Sequence, residues 1–142
     1  MLYDTILTIH IISFVWNVSF VILSDIIGGL WIVGVARLPK LPLRLFHICI
    51  WAGLSVSIVT GLYMFTTASS YLLTVPAFYT KIFFVLALLI NSFLIAKHLH
   101  KALSVASFSD LPSTEKRSFI VSGAISTISW IGVVVSAAWI GL

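Results

Sequence analysis

Four histidines, His10, His47, His98 and His100, stand out in a chain that offers little other titratable chemistry. A neutral imidazole is a good ligand for haem iron or copper, and an equally good hydrogen-bond partner for a headgroup or carbonyl. Position sorts the four. His47 lies near the start of a second apolar segment and His98 near the end of a third, so both are expected at one depth in the same leaflet. His100 is two residues further on, about 200° around a helix. His98 shares a seven-residue stripe with Asn91 and Phe84, which makes it the inward candidate of the two. His10 belongs to the opposite leaflet, near Lys81. Histidines on neighbouring helices at one depth can hold a b-type haem, whereas each alone is more simply read as packing or anchoring.

Other residues set the chemical limits. Asp25 is the one acid inside an apolar segment, near mid-membrane, where an ionised carboxylate is expensive. It is expected to be protonated, paired or hydrated, either relaying protons, pairing with a partner's cation, or bonding a serine or loosened backbone. Lys81 either snorkels to water or holds an anionic group such as a propionate. Cys49 is a lone cysteine, so no intrachain disulfide forms. Residues two apart on a helix do not face each other, so His47 and Cys49 make a poor copper pair. No phosphate loop, catalytic carboxylate pair, zinc-type His-Glu pair or nucleophile elbow is present, which argues against hydrolysis.

The elements that must position these residues are read from composition. Of 142 residues 61% are hydrophobic and 8% charged, against about 25% charged in a soluble domain. The twelve charges cannot build a water-facing shell, which argues against a cytosolic enzyme, a nucleic-acid binder or a disordered tail. The chain reads as an all-α integral membrane protein, a single domain over 1–142 forming a four-transmembrane-helix bundle. Spans are expected at Thr5 to Ala36, Leu45 to Phe65, Lys81 to His100 and Ser118 to Leu142. A basic turn with Arg37, Pro39, Lys40, Pro42 and Arg44 joins the first two. A loop over Thr66 to Thr80 and a polar connection over Lys101 to Arg117 follow, where Ser113 or Thr114 can cap the last helix. Met1-Leu2-Tyr3-Asp4 offers no basic region of a cleavable signal, so the first segment is expected to be kept.

Seven-residue stripes mark the faces expected to be buried: His10, Asn17, Ser24 and Trp31 on span one; Phe84, Asn91 and His98 on span three; Ser122, Ser129 and Ser136 on span four. Gly53, Ser57 and Gly61 on span two are spaced for close helix approach. Seven of the eight basic residues fall on one side of the four spans, leaving Lys81 opposite. The positive-inside rule then gives an N-out/C-out topology, multi-pass in the cell inner (cytoplasmic) membrane.

Three stretches carry a family resemblance: Ile9-His10-Ile11-Ile12 leading to Trp16; Arg44, His47 and Trp51-Ala52-Gly53-Leu54 running on to Thr60-Gly61; and Phe78-Tyr79-Thr80-Lys81. Together the pattern resembles the small four-helix HemJ-type protoporphyrinogen oxidases and, more loosely, CopD-like copper-resistance membrane domains. The resemblance implies haem b held by His10, with Lys81 and Arg44 as basic partners. The family's segment with tyrosine, proline and arginine after span one has no counterpart here, where the chain reads Ser24-Asp25-Ile26-Ile27-Gly28-Gly29-Leu30-Trp31. Resemblance thus points to His10 in one leaflet, and spacing to His47 with His98 in the other.

The functional expectation is a membrane haem-b-binding redox protein, for electron transfer or porphyrinogen-oxidase-like chemistry. Candidate iron ligands are His10, His47 and His98, with Lys81, Arg44 and Asn91 supporting the cofactor. Two alternatives stand beside it: a non-catalytic accessory or scaffold subunit of a larger membrane complex, and copper handling through the histidines and Met64. The lipid bilayer is the expected surrounding, with a homo-oligomer or larger membrane complex as partner and no nucleic acid.

Overall fold

The computed structural model describes residues 1–35, 37 and 40–140. Ala36, Pro39 and the last two residues of the fourth expected span lie outside the described residues. The described chain is all-helical: α1 Leu2–Ile32, α2 Lys40–Leu72, α3 Pro76–Ala102, a single 3-10 turn Phe108–Asp110, and α4 Ser113–Ile140. Each of the four helices is long and apolar enough to cross a membrane. At 1.5 Å per residue, the 31 residues of α1 reach about 46 Å, well beyond the roughly 30 Å of hydrocarbon. The outward faces are apolar, with Ile48, Phe93 and Trp139 between 63% and 80% exposed.

Helix ends differ from the sequence reading for local reasons. α1 stops at Ile32 because Gly34 adopts φ +77°. Its N–H donates to the Trp31 carbonyl at 3.1 Å and that of Val35 to the Leu30 carbonyl at 2.9 Å, a Schellman closure. α2 continues through the expected loop as far as Leu72, with non-helical angles at Ala68. The helix kinks there rather than ending: the Thr66 and Thr67 hydroxyls bond back to the Tyr63 and Met64 carbonyls just before the break in angles. Pro76 then opens α3, where its missing N–H costs nothing. At α4, neither Ser113 nor Thr114 makes a capping bond among the described residues. The Pro112 carbonyl takes the Lys116 N–H at 3.0 Å, and the capping serine is Ser107, on the short 3-10 turn.

α1 packs along α2, and α3 along α4, as two antiparallel hairpins. In the first, Ser13 and Ser57 hydroxyls bond at 2.7 Å, and Asn17 presses on Gly53 so closely that no Cβ would fit there. In the second, the Phe84 ring fills the space a Cβ would need at Gly132. Asn91 donates to the Ser122 carbonyl at 2.9 Å and accepts from the Ser122 hydroxyl at 2.7 Å. The polar stripes of α1, α3 and α4 lie on these inward faces.

Between the hairpins the backbones stand further apart, and three apolar layers bridge the gap. Leu72, Ala77 and Ile140 close the end that carries Met1 and the α2–α3 turn. Val21, Leu88, Trp130 and Val133 form a middle layer. Trp31, Ala102 and Leu111, with Phe108 and Phe119, close the end that carries the basic residues. Two cavities remain between the layers, one in each half of the bundle.

Candidate functional site

The cavity nearer the chain ends, the terminal cavity, has a volume of about 410 Å³, and apolar side chains make most of its wall. Four polar residues line it, from three helices: His10 and Asn17 from α1, Ser57 from α2 and Lys81 from α3. Thr60 fixes the His10 ring through a 2.8 Å contact to Nδ1. The Thr60 hydroxyl has one proton, which it donates to the Val56 carbonyl at 2.7 Å with a longer contact to Ser57 at 3.2 Å. With its proton on the Val56 carbonyl, the hydroxyl oxygen accepts Nδ1–H and Nε2 keeps the lone pair; turned to the ring, the same proton makes Nδ1 the acceptor. No hydrogen bond reaches Nε2 among the described residues. Gly61 lies beside the ring, 3.4 Å from Cε1 if a Cβ were present. Metal-binding histidines are held in this way, one nitrogen tied and the other open.

Asn17 is the second unusual feature of this cavity. It is fully buried, yet neither its amide nitrogen nor its oxygen has a partner. A buried amide left unpaired costs about 1–3 kcal/mol. Met64, also buried, adds a thioether to the same wall.

The second cavity, the basic-end cavity, measures about 310 Å³ and collects His47, His98, Asp25 and Asn91. His47 and His98 therefore share one cavity, as their positions suggest, but their nitrogens are differently engaged. The Trp51 indole N–H, a donor only, reaches His47 Nε2 at 3.1 Å, one helical turn away. That nitrogen is spent as an acceptor. His98 Nδ1 meets the Glu115 carboxylate at 2.9 Å, and Lys101 binds the other carboxylate oxygen. Asp25 takes a 3.3 Å bond from the Thr127 hydroxyl. Asn91 is satisfied by Ser122 and has a packing role.

Compared with protein-family models, curated proteins and solved structures, the chain matches none of them.

The structure thus divides the six expected site residues. It brings His10 to Lys81 in the terminal cavity and His47 to His98 and Asn91 in the other. Arg44 is exposed on the first turns of α2 and lines neither cavity. Among the described residues no three His, Cys, Asp or Glu side chains converge on one point. Sequence reasoning missed Thr60, Glu115 and Thr127 as partners of His10, His98 and Asp25. Thr60 had a signal, since it neighbours Gly61 on the face of α2 that meets α1. Glu115 stood as an ordinary first-turn acid, and only the fold shows that it reaches α3.

Proposed function

We propose that this chain is a membrane haem-b-binding redox protein and that the terminal cavity takes the haem. One observation carries the reading: Thr60 engages His10 at Nδ1, and Nε2 has no hydrogen-bond partner among the described residues, inside a large apolar cavity. The remaining residues fit such a group. The cavity volume lies within the roughly 300–1,000 Å³ usual for ligand and cofactor sites. Lys81 would be a cation for a propionate, and the Met64 thioether on the same wall is a soft donor that could help hold the iron. The unpaired Asn17 amide gains a partner when the cavity is filled. Bound there, haem would supply one-electron chemistry; the protein's part is to hold the imidazole, bury the macrocycle and balance its charge.

This reading uses His10 rather than His47, whose Nε2 is already bonded; His98, with Nδ1 on Glu115 and Nε2 open, lies in the other cavity, away from Lys81. Copper handling has His10 and Met64 as its donors on this wall and no third among the described residues. An accessory subunit remains the second reading because Asp25 is exposed within an apolar helix, where a partner's cation would meet it.

With seven basic residues around one end, we further propose the N-out/C-out orientation in the cytoplasmic membrane. A C-terminal reporter active only in the cytoplasm should stay silent. Protein purified in detergent from haem-replete cells should be coloured, with a Soret band and a b-type pyridine haemochrome. A colourless preparation would refute the haem reading.

A further inference from the structure

The basic-end cavity has a mouth. Of the residues lining it, Asp25, Gly29, Ile120, Ala124 and Thr127 are the exposed ones, and all belong to α1 or α4. A Cβ at Gly29 or Gly123 would have open space around it. The gap between these helices therefore opens sideways, within the apolar span, onto the surroundings of the bundle. Along α4 the exposed lip runs from Ile120 to Thr127, seven residues or about 10 Å of helix. Asp25 and Thr127 meet at one end of the lip, and His98, held by Glu115, lies toward the other.

The chemistry of that end selects its occupant. Glu115, held by Lys101, accepts Nδ1–H of His98, and Nε2 on the other side of the ring has no hydrogen-bond partner among the described residues. Among the described residues no lysine or arginine lines the cavity, and the Asp25 carboxyl stands at its mouth, which disfavours an anionic headgroup. A neutral hydroxyl is the complementary group. The walls include the Trp130 indole and the Phe119 ring, which favour a flat aromatic body over an aliphatic one. A molecule entering sideways from hydrocarbon must itself be lipid-soluble.

We propose that the basic-end cavity binds a membrane-soluble phenol or hydroquinone, which enters between α1 and α4 and donates a hydroxyl to His98. The aromatic head lies near His98 and Phe119, and an alkyl tail leaves past Gly29 and Gly123 into the bilayer. The site is separate from the terminal cavity, the two sharing only the Leu54, Leu88 and Trp130 partition. It does not rest on haem being bound.

The test is equilibrium binding of radiolabelled decyl hydroquinone to the full chain in nanodiscs, with decanoate and 1-decanol as competing probes. Saturable binding of one molecule per chain is expected. It should be displaced poorly by either competitor and weakened about tenfold by His98→Leu, the worth of one lost hydrogen bond. Gly123→Phe should block it by filling the mouth, and Gly29→Phe at the opposite lip serves if the first variant does not fold. Ile128→Phe, on the outward face of α4, should leave binding unchanged. Absence of saturable binding would overturn the proposal. So would binding indifferent to both mouth variants and to His98→Leu, or displacement by decanoate as effective as by unlabelled hydroquinone.

Discussion

The two cavities are built from the same parts and differ in what their polar groups have left over. Each contains histidine and a buried asparagine, and each lies between the hairpins. In the basic-end cavity Trp51 occupies His47 and Ser122 takes both ends of Asn91, while Glu115 holds His98 at Nδ1 and leaves Nε2 open. In the terminal cavity His10 is likewise fixed on one side only, but the asparagine differs: among the described residues Asn17 has no partner at either end. A buried group that folding leaves unpaired is tolerated where a ligand supplies the missing bond. Their mouths differ too. The exposed lining residues of the terminal cavity, Leu62 and Ile82, lie on α2 and α3, whereas the other opens between α1 and α4. Both are the inter-hairpin gaps, which explains why two close-packed hairpins can still enclose so much space.

The distinction between the cavities depends on their partition, so its removal should have the largest effect. Trp130→Ala should cost about 3 kcal/mol or more in a detergent-unfolding titration and merge the two spaces. A smaller loss, about 1–3 kcal/mol, is expected for Gly53→Ala, where the new methyl meets the Asn17 amide, and likewise for Gly132→Ala against Phe84. An unchanged midpoint for either glycine variant would show that the hairpins are looser than described.

The two asparagines give the sharpest contrast. Asn91→Leu removes a satisfied pair and should destabilise by about 1 kcal/mol. Asn17→Leu removes an unsatisfied group, so haem-free protein should be stabilised by a similar amount while haem retention falls. Destabilisation of the haem-free protein by both would mean that Asn17 has partners in the folded chain after all. The smallest effect belongs to Met64→Leu. A near-isosteric change should leave the unfolding midpoint within about 1.5 kcal/mol and shift the Soret maximum if the thioether is a ligand.

The helices were legible because hydrocarbon leaves so few options: four apolar runs long enough to span can be little else. The buried faces were legible from seven-residue stripes for the same reason. Helix ends were less so. Gly34 stops α1 through a two-bond closure that depends on its positive φ, and α2 runs past Phe65 through a kink at Ala68, in a stretch whose threonines and serines read as a loop in the sequence. The site was half legible. Residue types and depth identified His10, Lys81, His47 and His98, but the state of each ring nitrogen depends on Thr60, Trp51 and Glu115. Trp51 is one turn from His47 and could be read from spacing; Thr60 and Glu115 come from other helices, and their contacts exist only in the folded bundle. Arg44 was placed by resemblance, and the structure leaves it on the surface.

The central claim is that His10, which shares the terminal cavity with Lys81 and Met64, is the histidine that holds the cofactor. The most direct measurement is the Soret absorbance per chain of His10→Ala, His47→Ala and His98→Ala proteins purified side by side from haem-replete cells. The account predicts that the band vanishes in the first and persists in the other two. A band that survives His10→Ala, or that disappears when His47 or His98 is replaced, would contradict it.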